Sequence, residues 1–216
     1  MKKVMRDFSV YGITYFVLLV VVAGLLIVYP KVELHLLLNS CHSDFQDLFF
    51  KYYSMLAEWP FYIIALLPLL WKKKEITLFY AICELSTGAV VQIVKHIFFA
   101  PRPISVFENY PDLVLPLVEG VRLHHSNSFP SGHTSTFFVF FTCCALLMLA
   151  YKVKVRAKYL MLVLMVALAA LGGYSRIYLS QHFTEDVFVG SIIGFVTPCL
   201  LFYFAGEKIL KLKLED

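Results

Sequence analysis

Apolar residues fall into long blocks rather than alternating, and the blocks set the architecture. Ser9–Tyr29 holds 21 residues without a charge, Thr134–Tyr151 holds 18, Tyr159–Ser175 holds 17 and Val187–Gly206 holds 20. About 20 apolar residues carry a helix across the hydrocarbon core of a bilayer. Two further blocks are each interrupted by one acid: Tyr52–Trp71 by Glu58, with Pro60 and Pro68 inside it, and Ile76–Val94 by Glu84. The pattern predicts an all-α integral membrane bundle of six transmembrane helices, forming a single domain over residues 1–216 with no repeat and no low-complexity linker.

Charge orients that bundle. Lys2, Lys3, Arg6, Lys72–Lys74, Lys152, Lys154, Arg156, Lys158, Lys208, Lys211 and Lys213 make 13 of the 19 basic residues, and six spans place them all on one side. By the positive-inside rule that side is cytoplasmic, with both termini there. The apolar stretch after Lys2, Lys3 and Arg6 is too long for a signal-peptide core, which favours a retained helix. The net charge of +4 then follows from topology and anionic lipid and calls for no nucleic-acid partner. Cys83, Cys143, Cys144 and Cys199 fall inside spans as small apolar residues; Cys41 stands alone in an outer segment, so no disulfide is expected. Tyr29, Tyr52, Tyr53 and Trp59 read as interface anchors.

The outer connections hold the unusual residues: 30–51, then 100–129 with four prolines and His124–His125, then 176–186. Three clusters lie at the outer ends of spans. Lys95 and Arg102 are seven residues apart, two turns if the helix persists, and together suit an anion. Phe129-Pro130-Ser131-Gly132-His133 opens a span as a helix N-terminus. Free N–H groups there attract an anion, Gly132 admits close approach, Ser131 offers a cap or a donor, and His133 is placed to move a proton. In the third, Arg176 adds a cation, and a helix starting near His182 would put Asp186 one turn on, behind the imidazole. Snorkelling, capping and helix-dipole roles account for each residue singly. Three cations, two histidines, a carboxylate and an anion nest on one membrane face are the inventory of phosphoryl transfer.

The motifs K-x6-R-P (Lys95–Pro103), P-S-G-H (Pro130–His133) and S-R-x5-H-x3-D (Ser175–Asp186), in this order over 92 residues, resemble the phosphatidic acid phosphatase type 2 superfamily. The resemblance implies a metal-independent phosphatase without cofactor. His182 would be the nucleophile oriented by Asp186, and His133 the acid and then the base. Lys95, Arg102, Ser131, Gly132 and Arg176 would bind phosphate. A site at the membrane boundary suits a lipid phosphate or pyrophosphate substrate, of the undecaprenyl pyrophosphate or phosphatidylglycerophosphate type, at the periplasmic face of a bacterial inner membrane. A lipid A phosphatase, a lipid-to-lipid phosphotransferase, and, from another class, a non-catalytic lipid-binding protein or transporter are the rivals. Vanadium haloperoxidases share the motifs, but six lipid-spanning runs argue against that assignment. His124 and His125 lack a third ligand of matching spacing and read as loop residues near the entrance. Glu84, about 16 Å below Lys95 by the helical rise, reads as a helix–helix hydrogen-bonding group, and Glu58 as either that or an entrance residue.

Overall fold

The structure is a computed structural model that describes residues 2–58 and 73–212. Helices α1 (Lys2–Val28), α2 (Lys31–Leu38), α3 (Asp44–Met55), α4 (Lys74–Phe98), α5 (Pro103–Phe107), α6 (Gly132–Ala150), α7 (Lys158–Tyr178) and α8 (Thr184–Leu210) follow one another, and no strand occurs among the described residues. Five helical segments there are long and apolar enough to cross a membrane; the one that begins with α4 continues through α5 to Phe107. The chain is thus a multi-pass membrane protein. The expected span Tyr52–Trp71 starts within α3 and from Trp59 onward lies outside the described residues.

The outer segment 30–51 is mostly helical rather than a loop. Ser43 caps α3, its hydroxyl accepting from Gln46 N at 3.3 Å. The α3 face with Phe45, Leu48, Tyr52 and Leu56 is exposed, while Phe50 and Ser54 are buried. Tyr53 departs from the anchor reading: its hydroxyl donates to Leu168 O at 2.9 Å and its ring stacks on Phe137.

Two ends of the bundle differ in what holds them. Toward the starts of α1, α4 and α7, packing is apolar: Val4, Phe8, Tyr11, Tyr15, Phe79, Leu146, Leu162 and Phe202 share one core, with Phe195 stacked on Tyr15 at 4.4 Å. Lys158 Nζ and Asp7 Oδ2, 2.7 Å apart, tie α7 to α1. Glu84 accepts from Tyr80 (2.8 Å) and, across to α6, from Thr136 (3.4 Å), as a helix–helix hydrogen bond requires.

At the other end α8 crosses the start of α6 at a small-residue seam. A Cβ on Gly190 would stand 2.5 Å from Ser131 O, and one on Gly194 would collide with Ser135 O. Gly190 and Gly194, four apart, sit on one face of α8 and let the backbones touch. That contact locks the N-termini of α6 and α8 together.

Candidate active site

Helix α4 stops at Phe98, and Phe99 turns left-handed (φ 41°). Lys95 and Arg102 are therefore not two turns apart on one helix, as the spacing suggested. Arg102 instead precedes α5, whose first residue is Pro103, a position where the missing N–H is harmless. The two cations still converge. Lys95 Nζ donates to Asn127 O, Arg102 Nε to Ser126 O (3.0 Å) and Arg102 Nη1 to Gln181 O (3.1 Å). Arg102 N donates to His125 O (3.0 Å), so His125 serves through its carbonyl, while its exposed ring meets Ser105 Oγ at 3.1 Å. His124 is exposed, and burial together with nearby Arg102 and Arg122 holds its imidazole below the ordinary value.

Ser131 is buried and caps α6, accepting from Thr134 N (3.3 Å) and Thr134 Oγ1 (2.8 Å). Its own N–H donates to Asp186 O at 2.9 Å, a second tie between the two helix starts. Gly132 has no neighbour closer than Val91 Cγ1, 3.8 Å from where its Cβ would be, so space remains beside the helix N-terminus. His133, in the first turn of α6, is half-buried, and the charges of Arg176, Arg102 and Lys95 all reach it. Arg176 near the end of α7 is buried, and its Nη1 donates to Ser54 Oγ.

The last helix begins at Thr184, so His182 lies before it and not on its face. Backbone N–H groups of Gln181 (2.9 Å) and His182 (3.1 Å) both donate to Arg176 O, folding the loop back on α7. Asp186 is the third residue of α8, where a carboxylate reaches back to the free backbone donors of the first turn. Its Oδ2 accepts from Phe183 N at 2.9 Å, from Ser128 Oγ at 2.5 Å and stands 3.4 Å from His182 Nδ1. Ser128 Oγ is itself 3.3 Å from His182 Nδ1. The pair foreseen from spacing is thus a triad with Ser128, fully buried and two residues ahead of Pro130. A lone serine outside the three motifs gave no signal in the sequence.

Burial, then the charges of Arg102, Arg176 and Lys95, hold the His182 imidazole well below its usual range. With Nδ1–H directed at Asp186 and Ser128, the lone pair is on Nε2. A ring held this way meets the geometric requirement for a nucleophilic imidazole, one nitrogen fixed beside a carboxylate and the other free.

Residues 76–210, more than half of the chain, match the model of the PAP2 superfamily. The chain belongs to the PAP2 superfamily. Among PAP2 relatives, "Bacitracin transport permease protein BcrC" of Bacillus licheniformis is 32% identical over 171 residues, 73% of this chain and 75% of that protein. "Lipid phosphate phosphatase 2" of Arabidopsis thaliana is 34% identical over 139 residues, 56% of this chain; the match spans about half of that relative, 48%. The crystal structure of Aquifex aeolicus LpxE superposes with a TM-score of 0.62 at 26% identity, covering 81% of this chain and 95% of LpxE. A PAP2-type phosphatidylglycerolphosphate phosphatase from Bacillus subtilis gives 0.63 at 18% identity, covering 96% and 98%, and attests the fold.

Proposed function

We propose that this PAP2 protein is a lipid phosphatase that hydrolyses a lipid phosphate or pyrophosphate through a phosphohistidine on His182. The observation that carries the reading is the buried His182, with Nδ1 beside Asp186 and Ser128 and with the charges of Lys95, Arg102 and Arg176 around it. The phosphoryl oxygens are held by those three cations and by the free N–H groups at the start of α6, at Gly132. Nε2 of His182 attacks phosphorus, the N–P bond forms, and the P–O bond to the lipid breaks. His133 gives the leaving oxygen its proton. A water then attacks phosphorus, His133 takes back a proton, and inorganic phosphate leaves as the N–P bond breaks. None of these steps draws on a metal or a cofactor.

A membrane-boundary site lets a tail stay among the helices while the head reaches His182. The basic ends of α1 and α7 support an orientation in a bacterial inner membrane with both termini cytoplasmic and the site facing the periplasm. Undecaprenyl pyrophosphate and phosphatidylglycerophosphate are the foremost substrates; lipid A, or a second lipid as phosphoryl acceptor, is the alternative.

The test is phosphate release by purified protein from these lipids and phosphatidic acid, in EDTA. Wild type releases phosphate and His182→Ala does not. Activity that needs an added divalent ion, or that survives in His182→Ala, overturns the mechanism. Transport without phosphate release would favour a carrier instead.

A further inference from the structure

The loop from Leu179 to Phe183 carries His182 but is not held by the PAP2 motifs alone. Its sharpest point is Ser180, a non-glycine residue with φ 50° in the left-handed region. That conformation is disfavoured for an L-residue and persists only where surrounding contacts impose it. The contacts come from the outer helices. Asn39, the residue that ends α2, is fully buried and its Nδ2 donates to Ser180 Oγ at 2.8 Å. Ser180 Oγ donates in turn to Pro116 O at 2.7 Å, in the long outer loop. His35 Nε2, one turn before Asn39, stands 3.5 Å from the same hydroxyl.

Asn39 is itself fixed from behind. His42 Nε2 lies 2.8 Å from Asn39 Oδ1, and His42 Nδ1 lies 2.8 Å from Asp47 Oδ1 in α3. Ser180 Oγ gives its one proton to Pro116, so Asn39 must turn its NH2 to Ser180 and its oxygen to His42. Asn39 Oδ1 can only accept, so His42 Nε2 is the donor in that bond. Its ring lies on Tyr178, centroids 4.2 Å apart, and the Tyr178 hydroxyl donates to the same Asp47 oxygen. Asp47, His42, Asn39 and Ser180 thus form one continuous chain of hydrogen bonds ending two residues from His182.

We propose that Asn39 and His42 are positioning residues: they hold Ser180 in its left-handed turn and thereby aim the imidazole of His182. The proposal rests on the reading of His182 as the nucleophile. Neither residue touches phosphate or the reacting atoms. Misplacing a reacting group by about 1 Å lowers the rate roughly 100-fold, so the loss should appear in kcat rather than in KM.

The experiment measures kcat, KM and thermal midpoint in a double-mutant cycle on the full chain in detergent. Asn39→Ala and Ser180→Ala should each lower kcat roughly 10- to 100-fold with KM changed less than about threefold. The double variant should be no slower than the slower single one, because both remove the same bond. His42→Gln, which keeps one donor, should fall between wild type and Asn39→Ala. Multiplying losses, or a normal kcat in Asn39→Ala, would overturn the proposal. A fallen midpoint with unchanged kcat per folded molecule would do the same, since it marks a purely structural role. Where Asn39→Ala does not fold, His42→Gln and Ser180→Ala carry the same prediction. His182→Ala run alongside separates the two readings: if it stays active the nucleophile assignment fails, whereas if it is dead and Asn39→Ala is normal only this inference fails.

Discussion

The end of the bundle toward the starts of α1, α4 and α7, its inner half in the proposed orientation, and the outer end that carries the motifs are built on different principles. Inner residues such as Tyr11, Phe79, Leu162 and Phe202 interlock by shape, and few hydrogen bonds join them. The outer end buries Asn39, Ser128, Ser131, Arg176, Ser180, Gln181, His182 and Asp186, linked by donors and acceptors that leave little slack. Apolar packing tolerates substitution of similar volume, whereas a buried polar network loses a full desolvation penalty when one member goes. Damage to the inner half should lower stability at constant chemistry, and damage to the outer end should lower chemistry first.

Gly190→Ala tests the seam between the two N-termini, with the largest expected effect after that of His182→Ala. The new methyl meets Ser131 O at 2.5 Å, backbone that cannot yield without shifting α6. Activity should drop roughly 100-fold, and the thermal midpoint should fall as well; normal kinetics would show that the seam does not set the site. Ser128→Ala sharpens the comparison within the outer end. It removes a donor to Asp186 and a neighbour of His182 Nδ1, and kcat should fall roughly 10-fold while KM and the midpoint stay nearly constant. Phe202→Ala, in the inner core, should lower stability by roughly 3 kcal/mol with kcat per folded molecule unchanged. A kcat change of the Ser128→Ala size there would erase the distinction.

The smallest effect is on pH. Burial, opposed by Asp186 and assisted by Lys31, pushes the fully buried His35 imidazole down to about 4 from 6.5. Between those values the unfolded chain binds a proton that the folded chain refuses. The contribution is fully present above pH 6.5 and is lost as pH falls toward 4, by about 1.4 kcal/mol per unit. His182 has the same sign. Midpoints recorded from pH 7.5 to 5 should decline, and His35→Phe should flatten the decline; a steeper slope in the variant would contradict the burial account.

Hydropathy made the five described spans legible to within four residues at each end, save that α1 begins seven residues before Ser9, because a span must hide its backbone in a helix and its side chains in lipid. The motif residues were legible because their chemistry is unusual at a membrane end. The break after Phe98 falls just ahead of Pro101 and the prolines of 100–129, so the helix does not persist and Lys95 and Arg102 share no helical face. The helix carrying Asp186 starts two residues later than the His182–Asp186 spacing suggested, so Asp186 caps the helix start while still standing 3.4 Å from His182 Nδ1. Ser128 and Asn39 were invisible because their roles come from contacts 54 and 141 residues apart in the chain, and His42 because it acts through Asn39. Gly190 and Gly194 carried a readable small-residue spacing, but only the fold shows that it faces Ser131 and Ser135.

The most direct measurement is to quench the purified protein during turnover of a labelled lipid phosphate and map the phosphoryl group by peptide mass spectrometry. The account predicts phosphate on His182, absent in His182→Ala and accumulating in His133→Ala, where the leaving-group proton is supplied by the solvent and hydrolysis is slowed. Phosphate on another side chain, or turnover in His182→Ala at the wild-type rate, would contradict it.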